Sequence, residues 1–367
     1  MQFKNITFSS NHNEEFYKEL KQRVNHYFKH KNISKHANAA MVFKTVFMIS
    51  LYVVPLGLLF VDFSSQWVYF LLWTIMGFGM AGVGLSVMHD ANHGTYSKNH
   101  VVNGVIGRVL VILGGSDVNW RIQHNVLHHT YTNITEADED IAPPSFLLRF
   151  SPHTKRYYIH RFQHIYAWFL YGLMTLMWFI SKDFNQAFRY KKKDLLKSQG
   201  ITMSQHLTSI VIFKIIYASL FIVLPLLMSP AFWYVSVLGF LIKQFIAGFI
   251  LSIIFQPAHV VPSSNFPLPD DSGNVEADWA VNQLVNTANF APNARLFSWY
   301  VGGLNFQIEH HLFPNICHIH YRNISKIVEE TAKEFRLPYH SYKTFYGALV
   351  DHTKLLYTLG NKDVVVA

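Results

Sequence analysis

The run WVYFLLWTIMGFGMAGVGLSVMHDANH, residues 67–93, decides how this chain is read. Its first part, residues 67–88, holds no charged side chain. At about 1.5 Å rise per residue, a helix of that length crosses a hydrocarbon core of roughly 30 Å. The run ends directly in His89-Asp-Ala-Asn-His93. An apolar span therefore delivers two histidines, four residues apart, at its polar end.

Three further stretches have the same character: 41–61, 207–228 and 231–255. With 67–88 they give four candidate spans of roughly 21–25 residues each. Lys44, Lys214 and Lys243 fall inside them and must snorkel or be buried in the bundle. A fifth run, 165–180, is shorter. Arg149, Lys155, Arg156 and Arg161 precede it, and Lys182, Arg189, Lys191, Lys192, Lys193 and Lys197 follow. Basic residues collect on the cytoplasmic side, so both ends of this run belong there. The short connections 62–66 and 229–230 carry neither Lys nor Arg, as exterior turns should. The expected fold is an all-α integral membrane protein. It has four transmembrane helices in two hairpins, an in-plane or re-entrant segment at 165–180, and a cytoplasmic helical cap. Both termini are expected in the cytoplasm.

Composition agrees. Of 367 residues, 50% are hydrophobic and only 14% charged, which excludes a disordered chain. The single Cys317 excludes a disulfide framework, a four-cysteine zinc site and a cysteine-ligated cluster, and reads as an inert loop residue. The net charge of +9 lies largely beside the spans, where it orients the chain, so no nucleic-acid partner is expected. Residues 1–40 are polar and contain no secretory signal. Within them, Phe16, Leu20, Val24 and Phe28 recur every four residues on a basic helix. That stripe suits either anionic headgroups or the protein's own cytoplasmic face. Three segments follow: 1–40, a membrane domain 41–360, and a tail 361–367.

Gly77-Phe-Gly-Met-Ala-Gly82 matches the G-x-G-x-x-G pattern of dinucleotide sites, but lies inside an apolar span with no strand before it. Close packing between membrane helices is the better reading.

Histidine is the unusual feature, at 21 residues. Three clusters stand out: His89–His93, His124-Asn-Val-Leu-His128-His129, and Gln307-Ile-Glu-His310-His311. His259 sits at the end of the last span. On a helix, i and i+4 share a face, so His89 with His93 and His124 with His128 each converge. Adjacent histidines diverge by about 100°, so one member can serve one metal and its neighbour a second. The inventory is His89, His93, His124, His128, His129, His259, His310 and His311. Imidazole does not choose among zinc, copper, iron and nickel, though eight ligands exceed one tetrahedral zinc. Asp90, Asp138 and Asp140, with Asn125, are candidates to orient the rings from behind.

With these boxes the chain resembles the membrane fatty acid desaturases. Gln307 opening the third box resembles the front-end branch, as do Gly302–Pro314 and Asp278-Trp279 followed by Gln283. The resemblance covers residues 40–360. It implies two non-haem irons held by the eight histidines, with Gln307 in a supporting place, and an oxygen-dependent acyl desaturase. Where some relatives have a water-holding Asn, four residues before His259, this chain has Phe255. Front-end members often carry a fused b-type cytochrome with a His-Pro-Gly-Gly motif. Here forty polar residues are too few and that motif is missing. The resemblance thus implies an external ferredoxin or small b-type cytochrome as electron donor, and fits a bacterial inner membrane. The substrate would be an acyl-lipid or acyl-CoA, its chain held in a channel whose candidate walls are Trp120, Trp279 and Phe306. A lipid hydroxylase on the same scaffold is the near alternative. A histidine-rich metal transporter is the distant one, but its ligands should sit at mid-bilayer.

Overall fold

The computed structural model describes residues 6–9, 14–142 and 146–362. Lys4, His12 and most of the tail 361–367 lie outside the described residues. The chain is dominated by helices. Four of them are long and apolar enough to cross a membrane: Ala39–Leu58, Gln66–Asn92, Met203–Met228 and Trp233–His259. They coincide with the four expected runs. Two bent helix pairs have the same apolar character when each is taken together. The first is His100–Leu113 with Asp117–Tyr131, bent by 108°; the second is Tyr158–Gly172 with Met174–Lys192, bent by 59°. The run 165–180 lies in the second. The first escapes the sequence reading because Arg108 and Gly114 interrupt a short apolar stretch. Gly114 takes a left-handed φ of 89° at the break.

The chain divides into two compact units, one of 38–122 with 168–253, the other of 1–37 with 123–167 and 254–367. In the first unit, glycine sets the helix spacing. A Cβ on Gly79 would lie 2.6 Å from the Leu51 carbonyl carbon, and one on Gly77 would lie 2.9 Å from Ile246 Cβ. The G-x-G-x-x-G pattern is thus a packing feature. Lys243 is fully buried: it donates to Tyr217 Oη at 2.9 Å and faces the rings of Phe221 (4.0 Å) and Phe240 (4.7 Å). Cation–π contact replaces part of the lost hydration. Lys214 is held by Asp183 and by the carbonyls of Gly114 and Trp178.

In the second unit, the stripe Phe16, Leu20, Val24 and Phe28 of helix Glu14–Lys31 is buried against Leu284, Ile308, Leu312, Ile324 and Val328. Of the two surfaces the sequence allowed, the helix uses the protein's own. Arg23 adds a fork to Glu334, at 2.8 and 2.7 Å. Two parallel pairs of two-residue strands, Thr7–Phe8 with Asn274–Val275 and Asn289–Phe290 with Ser341–Tyr342, tie loops without changing the helical class.

Candidate metal centre

Six of the eight histidines belong to the second unit. The box at 124–129 is not the α-helix the sequence suggested. Arg121–His128 is π-helical, and only His129–Tyr131 returns to α. A π-helix bonds i to i+5 and so brings residue i+5 over residue i. His124 therefore converges with His129 as well as with His128, whose ring stacks on it at 5.2 Å. The Nε2 atoms of His124 and His129 are 3.3 Å apart. His310, from helix Gln307–Leu312, joins them with its Nε2 at 3.0 Å from His129 and 3.4 Å from His124. His128 instead groups with His259 and His311, their candidate ligand atoms all within 4.8 Å of one another. The groups overlap: His129 also lies within that distance of His310 and His311, and His124 of His128 and Asp140.

Five of these six rings have the far nitrogen committed elsewhere. His128 Nδ1 is 2.9 Å from both oxygens of Asp138, and His124 Nδ1 is 2.6 Å from Asp140. His259 Nδ1 faces the Asn286 carbonyl at 3.2 Å, His310 Nδ1 the Tyr321 hydroxyl at 3.2 Å, and His311 Nδ1 the Gln283 Oε1 at 2.8 Å. The carboxylate, carbonyl and amide oxygens, which accept, leave Nε2 as the lone-pair nitrogen of His124, His128, His259 and His311. Burial disfavours the charged form of His128, but Asp138 and Asp140 outweigh it and raise its pKa.

The arrangement fits a metal. Nitrogens about 2.1 Å from one ion, at roughly 90–110° to each other, stand about 3.0–3.4 Å apart. The trio His124, His129 and His310 has that spacing. His259 Nε2 is buried with no hydrogen-bond partner, and so are both amide atoms of Gln307. Gln307 precedes His310 by three residues and shares its helical face.

His89 and His93 belong to the first unit. They share a helix face as expected, with ring centroids 4.7 Å apart, and the Trp120 ring stands 5.5 Å from each. Asp90 lies 3.8 Å from His89 Nδ1. Asn125 is half-buried on the π-helical turn. The Phe255 ring packs 6.1 Å from that of His124, and Gln256 donates to the Asp140 carbonyl at 3.3 Å. The other two expected channel walls lie in the second unit. Trp279 gives its indole N–H to the His129 carbonyl at 3.1 Å, and Phe306 lies in the core beneath helix Glu14–Lys31.

The sequence reading missed the residues behind the rings: Gln283, Tyr321, Thr132 and the Asn286 carbonyl. It also missed Glu309, whose buried carboxylate accepts from Asn289 (2.8 Å) and Tyr339 (2.9 Å). Burial pushes its pKa up to about 7 against those two donors. The only local sign of these residues was the series Trp279, Asn282, Gln283 and Asn286 on one short helix and its C-terminal cap.

Comparison with known proteins gives a consistent result. The family model described as fatty acid desaturase matches residues 65–343. A sn-1 linoleoyl-lipid 6-desaturase of Arthrospira platensis is 36% identical over 338 residues, 91% of this chain and 89% of the relative. One of the same description from Synechocystis is 34% identical, covering 94% and 95%. An acyl-lipid (8-3)-desaturase of Physcomitrium patens is 37% identical, covering 97% of this chain and 74% of its own length.

Proposed function

The chain belongs to the fatty acid desaturase family, and from that premise we propose how it works: eight histidines hold two irons that desaturate an acyl chain carried on a membrane lipid. The supporting observation is the convergence of His124, His129 and His310 at 3.0–3.4 Å beside the group His128, His259 and His311. His89 and His93 complete the ligand set in this reading. When bound, the irons let O2 take two hydrogens from neighbouring methylenes, with two external electrons and two protons, and leave as two waters.

The protein's part is placement. Asp138, Asp140, Asn286, Tyr321 and Gln283 hold the rings with Nε2 presented. Asp90 and Asn125 stand in support, and Gln307 lends its unpaired amide beside His310. Trp120, next to His89 and His93, walls the acyl channel. Fixing one carbon pair to within about an ångström controls where the bond forms. The acyl-lipid names of the relatives favour a lipid-esterified substrate over a CoA ester, and Gln307 favours insertion on the carboxyl side of an existing double bond.

Electrons arrive from a ferredoxin or small b-type cytochrome. Lys18, Lys21, Lys29 and Lys31 are exposed on helix Glu14–Lys31 and would steer an acidic donor. The spans form two hairpins with the cap, both termini and this face in the cytoplasm, at a bacterial inner membrane. A reporter fused near Lys192 should read as cytoplasmic; an exterior reading refutes the topology.

The deciding experiment expresses the chain in a host fed defined unsaturated acids, with mass spectrometry of its lipids. New double bonds, lost on changing His128 to Ala, support the proposal. New hydroxyls would assign the same scaffold to hydroxylation.

A further inference from the structure

The seven-residue helix Trp279–Val285 carries no candidate ligand, yet it touches every ligand-bearing segment of its unit. Trp279 donates to the His129 carbonyl at 3.1 Å and Asn282 Nδ2 to the Thr132 carbonyl at 3.1 Å, both at the end of the second box. Asn286, just past the helix, accepts from His259 through its carbonyl, and its side chain accepts the Asn265 N–H at 2.9 Å. Gln283 stands between them. Its Oε1 lies 2.8 Å from His311 Nδ1 and 2.7 Å from Thr132 Oγ1, and Thr132 Oγ1 lies 2.7 Å from the His128 carbonyl. Gln283 is fully buried.

We propose that Gln283 is the positioning residue for His311: its oxygen fixes the tautomer with the proton on Nδ1, so that Nε2 faces His128 and His259. The inference rests on the metal reading above. The contact with His311 Nδ1 sets the orientation of the amide, since the single hydroxyl proton of Thr132 is shared between this oxygen and the His128 carbonyl. Turned over, Gln283 would offer a donor to Nδ1, force the proton to Nε2 and close His311 to metal. The choice of amide also has a consequence. Asp138 and Asp140 place negative charge behind His128 and His124, whereas Gln283 places a neutral group behind His311. An anion behind an imidazole makes it a stronger ligand for the more highly charged metal.

Three chains, purified from membranes and loaded with ferrous iron, test this: wild type, Gln283→Glu and Gln283→Leu. Iron per chain and reduction potential are read alongside the unfolding midpoint. Wild type should hold two irons; if it holds none, the metal reading itself fails, whatever the variants do. Glutamate, an acceptor only, should keep both irons and move the potential negative. A tenfold gain for ferric over ferrous iron would read as about 59 mV. Leucine should weaken iron at one site 10–100-fold. Should leucine prevent folding, the glutamate variant still decides. A wild-type potential in Gln283→Glu, with two irons bound in all folded chains, overturns the proposal.

Discussion

His129 and His310 lie 181 residues apart in sequence, yet their Nε2 atoms stand 3.0 Å from each other. Two buried imidazole lone pairs at that distance repel unless a proton or a cation lies between them. Side chains from elsewhere in the unit hold them there: the Trp279 indole bonds the His129 carbonyl, and the Tyr321 hydroxyl bonds His310 Nδ1. Either residue changed to Ala should therefore lose iron and product together, while its neighbour His128 or His311 keeps its own partners. Metal analysis of purified chains should show a shortfall of about one iron per chain. Full iron in His310→Ala would remove it from the ligand set.

Asp138 should behave differently from the ligands. It accepts from His128 Nδ1 and also from the backbone N–H groups of Asn133 and Asp140, at 2.9 Å each. Asp138→Asn keeps the shape but replaces one acceptor oxygen with a donor. It should weaken iron binding about 10–100-fold without abolishing it. Titration with a competing chelator would measure the change, and an unchanged affinity would confine Asp138 to loop structure.

The four spans were legible because a membrane span needs about twenty consecutive apolar residues, a signal that tertiary context does not blur. The histidine boxes were legible because eight of one rare residue type sat at helical spacing beside those spans. How the boxes divide was not. His124 pairing with His129 depends on a π-helical turn, and nothing in Arg121–His128 announces that the backbone bonds i to i+5. The roles of Gln283, Tyr321 and Glu309 were invisible for another reason. Each acts across 11 to 30 residues of sequence, through contacts that only the packed fold brings about. The stripe on helix Glu14–Lys31 was read correctly as apolar, but the sequence could not say which surface it covers.

That surface makes a prediction of its own. Phe16 is fully buried in the unit's core, 5.7 Å from the Phe335 ring. Phe16→Ala should cost about 3–5 kcal/mol of stability. A helix lying on lipid headgroups would lose membrane affinity instead. Unfolding in detergent, with and without anionic lipid, separates the two: the loss should be the same in both.

Gly79 tests the packing of the first unit. A single methyl at this position meets backbone, not a side chain that could swing away: Leu51 carbon at 2.6 Å and Tyr52 nitrogen at 2.7 Å. Helices Ala39–Leu58 and Gln66–Asn92 would have to separate. Gly79→Ala should cost about 1–3 kcal/mol. Gly57→Ala is the control, because a Cβ there meets nothing within 4 Å. Equal unfolding midpoints for the two variants would show that the close approach does not matter.

His352 gives the chain a pH limit away from the ligand rings. Its Nδ1 donates to the Val260 carbonyl at 2.8 Å, and its ring is fully buried. Burial lowers its pKa to about 4 from the ordinary 6.5, only partly opposed by the carbonyl. The unfolded chain therefore binds a proton that the folded chain refuses between these values. Stability from this group is full above pH 6.5 and falls as pH drops toward 4, by about 3 kcal/mol in all. His352→Gln retains a donor for Val260 but cannot titrate. It should flatten that part of the pH dependence of unfolding, measured on metal-free chains so that proton competition at the ligand histidines does not enter the comparison through iron loss. An unchanged slope would mean that His352 takes up its proton without opening the fold.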